Sequence, residues 1–279
     1  MSKVLIPFSG GINSTYALYK FLAETSHDIT AVYAKESWVN VSHDPQRQSR
    51  EKQTAETIVS WLKSNVRDFT FEIKSDWPTT FNDVRPIRAG FTKTYNYGIC
   101  VARYKGYAEL IETHNPDMFV IGNSVENTAT DAQPECHHLY WKDGLTVVYA
   151  GTPDLTPTLK EPYDYDTVAA SLIGRFEQFE ALPTALSELI ETHCPTIHDP
   201  RVNDVEFHCL RCLYHLAHTE LDYTGKELDD MFAKHGSYGA WRNEADPETY
   251  VYRGAPQYKV IELLGLEEAF HMVPPPIPE

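Results

Sequence analysis

The chain has 279 residues, 42% of them apolar and 23% charged, a balance that excludes disordered, collagen-like and low-complexity architectures. No apolar run approaches the roughly 20 residues that cross a bilayer, and the N-terminal run at 4–8 is too short for a signal-peptide core, so the chain reads as cytoplasmic. With 24 basic against 40 acidic residues the formal net charge is −16, which repels nucleic-acid backbones and favours small-molecule substrates.

In chain order, residues 4–8, 29–34, 69–73, 118–122 and 146–150 are short, apolar and rich in β-branched or aromatic residues, and each predicts a strand. Between the first two, residues 14–24 carry Ala17, Leu18, Phe21 and Leu22 on one helical face. Ala55, Ile58, Val59, Leu62 and Val66 make a second stripe, and Ile99, Ala102, Gly106, Leu110 and Ile111 a third. Strand–helix–strand alternation with right-handed crossovers predicts an α/β fold: a doubly wound parallel sheet covered on both faces. From about residue 163 helical spacing dominates, at 165–180, 182–192, 208–219, 225–234 and 259–270, and the proline-rich tail 271–279 reads as extended. A boundary near residue 220 would separate a nucleotide-binding body (1–220) from a helical C-terminal extension (221–279).

The strongest local signal is Ser9-Gly10-Gly11-Ile12-Asn13-Ser14-Thr15, between the first strand and the first helix. In a doubly wound sheet, ligands sit at the carboxyl ends of the strands, where helix N-termini point. Two glycines let the backbone approach a phosphate and take positive φ, while the exposed amides and the helix dipole favour an anion. Ser9, Ser14 and Thr15 add hydroxyl donors. A tight turn with a helix cap would use the same residue types, but the position after strand one favours the phosphate loop.

Five cysteines without a secretion signal argue against a disulfide framework. Cys194, Cys209, Cys212 and His215 read Cys-x14-Cys-x2-Cys-x2-His, a spacing that suits a closed, structural tetrahedral Zn²⁺ site. His193, His198, His208 and His218 are alternatives for the fourth ligand; three buried thiols beside an incidental histidine-rich surface are the plain alternative, and the spacing favours zinc.

The glycine loop is neither Gly-x-x-x-x-Gly-Lys-Ser/Thr nor Gly-x-Gly-x-x-Gly. It resembles the PP-loop of the N-type ATP pyrophosphatases, Ser-Gly-Gly-x-Asp-Ser, with Asn13 at the Asp position. Together with the cysteine cluster, whose family form ends in a fourth cysteine where this chain has His215, it resembles the 7-cyano-7-deazaguanine synthases (QueC type). Weaker likenesses are Gln46-Arg47 with Glu51, then Asn96 with Tyr107-Ala108-Glu109, then Asp131-Ala132-Gln133-Pro134-Glu135, and last Pro157-Thr158-Leu159-Lys160. The likeness runs over roughly residues 3–218.

The resemblance implies an adenine nucleotide α-hydrolase-like fold, a homodimer, and a ligase that uses ATP and Mg²⁺ in queuosine biosynthesis. Its substrates would be 7-carboxy-7-deazaguanine and ammonia, joined through an adenylated intermediate to give the nitrile or a related amide. Ser9, Gly10, Gly11, Ser14 and Thr15 would bind pyrophosphate, with Asn13 near the magnesium and Lys160 neutralising phosphate charge. Asn96, Glu126 and Asp131 would contact substrate or ATP. Three other readings fit the same residues: attachment of a deazaguanine to a protein partner, a PP-loop tRNA sulfurtransferase with Cys100 or Cys194 as nucleophile, and a nucleotide-binding module that has lost catalysis. The −16 charge speaks against the sulfurtransferase.

Overall fold

The computed structural model describes residues 1–34, 45–74, 106–122, 144–151, 173–190, 210–234 and 256–266. Five strands, β1 (Lys3–Pro7), β2 (Asp28–Ala34), β3 (Thr70–Lys74), β4 (Met118–Ile121) and β5 (Thr146–Tyr149), form one sheet in which every pairing is parallel. Each lies within one residue of its predicted span at either end. The order is β3-β2-β1-β4-β5, so β1 is central. It pairs with β2 in the register Lys3↔Asp28 and with β4 in the register Val4↔Met118.

Strands buried on both faces read as continuous apolar runs, and β1 is one. Val4 and Ile6 join the core cluster with Leu18 and Phe21 of helix α1 (Ile12–Glu24) and with Ile58 and Leu62 of helix α2 (Pro45–Asn65). Leu5 points to the opposite face by strand alternation. On that side Tyr107, from helix α3 (residues 106–114), meets Phe119 of β4 edge to face with ring centroids 5.1 Å apart. The sheet is therefore covered on both faces, the doubly wound α/β arrangement.

The C-terminal helices are α4 (Arg175–Ala181), α5 (Thr184–Ser187), α6 (Leu210–Leu221), α7 (Gly225–Lys234) and α8 (Pro256–Leu263). Three of them differ from the periodicity. In the described part of 165–180, residues 173–180, the helix begins at Arg175, and Gly174, extended at φ −74° and ψ 172°, serves as its N-cap. Among the described residues of 182–192, which are 182–190, only α5 is helical, and Pro183 pushes Leu182 out of the helical region, to ψ 148°. The last helix runs from Pro256 rather than 259 and stops before Gly265, whose φ of +67° lets Leu266 donate back to the Ile261 carbonyl at 3.0 Å.

Helix α4 packs against α1 and α7, and α7 against α8. Phe176, Phe179, Leu228, Phe232, Val260 and Ile261 share one core cluster with Ala17 and Phe21, so residues on both sides of position 220 bury the same interior. Among the described residues no helix is long and apolar enough to cross a membrane.

Candidate phosphate-binding site

The chain leaves the sheet one residue after Phe8, whose N–H still donates to the Val32 carbonyl at 2.8 Å. Gly10 then adopts φ +79°, a left-handed conformation that side chains strain to reach. A Cβ on Gly10 would lie 3.3 Å from both the N and the Cα of Ala55, so α2 rests directly on the loop backbone. Gly122, the residue after β4, abuts the other side. A Cβ there would fall 2.4 Å from the Asn13 carbonyl oxygen and 2.7 Å from the Ser14 nitrogen. The loop thus occupies the carboxyl ends of β1 and β4, the point where the strand order reverses, which is where open parallel sheets bind ligands.

Two serines shape the turn. The Ser14 hydroxyl is buried, accepts the Ser9 N–H at 3.2 Å and donates to the Gly11 carbonyl at 3.1 Å. The two hydroxyl oxygens are 3.0 Å apart, and with the Ser14 proton directed at Gly11, Ser9 is the donor across that pair. Gly11 in turn donates its N–H to Ser9 Oγ at 3.3 Å.

The start of α1 is left open. Gly11 is the N-cap and supplies no side-chain hydrogen bond, and the first turn contains no acidic residue. The first intrahelical bond is from Thr15 N–H to the Gly11 carbonyl at 3.0 Å. Among the described residues no acceptor meets the N–H groups of Ile12, Asn13 or Ser14. Three orphan donors at the positive end of a helix dipole, worth about half a charge, are an arrangement that can accept an oxyanion. Asn13 Oδ1 and Thr15 Oγ1 are also buried, without a hydrogen-bond partner among the described residues. A neutral amide oxygen is a hard donor of the kind Mg²⁺ accepts, so Asn13 Oδ1 is the atom of this loop that could hold such a cation.

One turn further along α1, burial first, then Glu24 and Glu177, push the Tyr16 hydroxyl up to about 12. Tyr16 therefore stays neutral at physiological pH and cannot act as a base.

Ser9, Gly10, Gly11, Asn13, Ser14 and Thr15 come together in this loop, although Thr15 is wholly buried. Asn96, Glu126, Asp131, Lys160, Cys194 and Cys209 lie outside the described residues. So do Cys100 and the segments 131–135 and 157–160, and the side chains of Gln46, Arg47 and Glu51 are likewise not described. Cys212 and His215 both sit on α6. The side chain of Cys212 is not described, and the half-buried His215 ring lies 5.8 Å from that of Tyr214. Among the described residues no group of three or more His, Cys, Asp or Glu side chains is placed to hold a metal ion. Sequence reading missed Gly122 and Ala55 as walls of the loop. Their only signal was small size, at a strand end and on a helix stripe.

No protein-family profile matches the chain, and no curated protein matches it in sequence. Among solved structures, the U34-tRNA thiolase NcsA from Methanococcus maripaludis, determined with its 4Fe–4S cluster, is similar at a TM-score of 0.38 and 13% identity, over 98% of this chain and 72% of that one.

Proposed function

We propose that this chain is an ATP-consuming, AMP- and pyrophosphate-forming ligase of the PP-loop kind, and that its substrate is 7-carboxy-7-deazaguanine. The observation that carries the reading is the open N-terminus of α1. Ser9-Gly10-Gly11-Ile12-Asn13-Ser14-Thr15 presents three unpartnered amides at the switch point of a parallel sheet. The finer assignment to deazaguanine chemistry rests on the sequence resemblance.

In this reading the amides of Ile12, Asn13 and Ser14 hold the β- and γ-phosphates, and the Ser9 and Ser14 hydroxyls turn from each other to donate to phosphate oxygens. The substrate carboxylate attacks the α-phosphorus, the α–β phosphoanhydride bond breaks, and pyrophosphate leaves into the loop. Negative charge that develops on the leaving group is stabilised by donors already in place, a preorganised contribution. Ammonia then attacks the acyl carbon and AMP departs, leaving the amide. A second activation at the amide oxygen, followed by loss of AMP and a proton, gives the nitrile. Mg²⁺ bound with ATP would screen repulsion between the phosphates, with Asn13 Oδ1 as one oxygen ligand. Lys160, Asn96, Glu126 and Asp131 are proposed as phosphate and substrate contacts. Cys194, Cys209, Cys212 and His215 are proposed to hold a structural Zn²⁺, which metal analysis of the purified protein would count directly.

The test is mass spectrometry of the purified protein with Mg-ATP, ammonium and 7-carboxy-7-deazaguanine, with AMP and pyrophosphate quantified. A nitrile with two AMP per product is the expected result. An amide with one AMP would mark an enzyme that stops at the first activation. ATP binding without substrate-dependent AMP would overturn the ligase and leave a nucleotide-binding module.

A further inference from the structure

We propose that the C-terminal helix α7 is a built-in brace for the phosphate loop, and that Asp229 is its positioning residue. Asp229 is only 5% exposed. Its carboxylate accepts the N–H of Phe176 at 3.1 Å and that of Glu177 at 2.9 Å, two of the orphan donors that open α4. The N-cap of α4, Gly174, supplies no side-chain cap of its own, and a Cβ on it would lie 2.0 Å from the Asp229 carboxyl carbon. The space beside Gly174 is reserved for a carboxylate that arrives from another helix.

The favour is returned along the same interface. Glu180 of α4 accepts the N–H of Gly225, the first residue of α7, at 3.0 Å. Gly225 itself presses on the α4 backbone, where a Cβ would meet the Phe176 carbonyl oxygen at 2.5 Å. Each helix thus caps the start of the other with a carboxylate, and Phe176 packs on Phe232 with ring centroids 5.0 Å apart. Two directional caps plus two close backbone approaches fix one register between α4 and α7, which apolar contact alone does not do.

Helix α4 carries that register to the loop. It packs against α1, and its Phe176 and Phe179 share one buried cluster with Tyr16 and Ala17 of the first turns of α1. Tyr16 lies one turn from the open amides of Ile12, Asn13 and Ser14. The entry to α4 is tied as well, because Ile173 donates its N–H to the Gly151 carbonyl at 2.9 Å, just beyond β5. A shift of α4 at its capped end therefore reaches the first turns of α1 through packed side chains.

The experiment compares the full-length chain with Asp229→Ala, Gly174→Ala and the double variant, by hydrogen exchange of peptides covering residues 12–24 and by calorimetric titration of inorganic pyrophosphate. The expected result is exchange in α1 faster by at least about tenfold in each single variant, with residues 52–65 of α2 unchanged as the internal reference. Pyrophosphate affinity is expected to fall at least about fivefold, and the double variant to match Asp229→Ala, because the clash at Gly174 has lost its partner. Uniformly faster exchange in α1 and α2 would mean general destabilisation and would overturn the brace, as would α1 exchange within about twofold of the parent. Should Asp229→Ala not fold, Asp229→Asn, which keeps the shape and one acceptor oxygen, is read by the same criteria. The affinity arm rests on the phosphate reading of the loop and the exchange arm does not. A parent chain that binds no pyrophosphate but still shows the α1 response would sink that reading and leave the brace standing.

Discussion

A single hydroxyl holds the loop in shape before any ligand arrives. Ser14 Oγ accepts from Ser9 N–H and donates to the Gly11 carbonyl, with the Ser9 hydroxyl beside it. Ser14→Ala removes the loop tie and, on the proposed function, a phosphate donor, so pyrophosphate release should fall about 10²-fold while the melting transition survives. A loss below about threefold in a coupled pyrophosphate assay would locate the phosphates elsewhere. Tyr16 makes a prediction in pH. Its hydroxyl is raised from an ordinary 10.0 to about 12, so between those values the unfolded chain releases a proton that the folded chain keeps. Its stabilising share is complete below pH 10 and disappears as pH rises through 12. The urea midpoint should therefore drop more steeply between pH 10 and 12 in the parent than in Tyr16→Phe, and parallel curves would contradict the burial.

The helix that carries the loop is secured at its far end by two side chains, the Thr25 hydroxyl, which donates to the Phe21 carbonyl at 2.7 Å, and the Arg67 guanidinium. Arg67 donates from Nε to the Leu22 carbonyl at 2.9 Å, from Nη1 to that of His27 at 3.0 Å and from Nη2 to that of Phe21 at 3.4 Å. Of the three, the Leu22 carbonyl is one that the end of a helix leaves orphaned, and a cation there also complements the dipole. Arg67→Met should cost about 2 kcal/mol by denaturant unfolding, and Arg67→Lys should recover only part of it because an ammonium cannot fork across three carbonyls. Elements of this length were largely legible in the sequence. Continuous β-branched runs located all five strands, and the Ala17, Leu18, Phe21, Leu22 stripe located α1. The limits of α4, α5 and α8 were not, because apolar spacing continued through Gly174, Pro183 and Gly265, where backbone chemistry overrides periodicity. The loop was legible because its serines and glycines are contiguous. Gly122 and Ala55 were not, because only the tertiary fold brings them to Asn13 and Gly10.

At the scale of the whole molecule, the sheet and the C-terminal helices share one interior, and the strand order decides how that interior is assembled. β1 takes one neighbour from nearby in the chain, at Asp28, and the other from far beyond it, at Met118. Contacts of such separation form late, since loop closure must precede the pairing that rewards it. During synthesis the first 74 residues can lay down β1, β2 and β3 with the future centre of the sheet exposed as an edge, a hazard that invites mispairing. In pulse-labelled refolding, amides of β4 and β5 should gain protection after those of β1 to β3, and simultaneous protection would refute that order. Gly122 arrives with β4, so the loop that the ribosome delivers first has its second wall delivered long afterwards. On the proposed function the loop stays unfinished until the chain has reached Gly122, so nucleotide capture would report that β4 has docked beside β1.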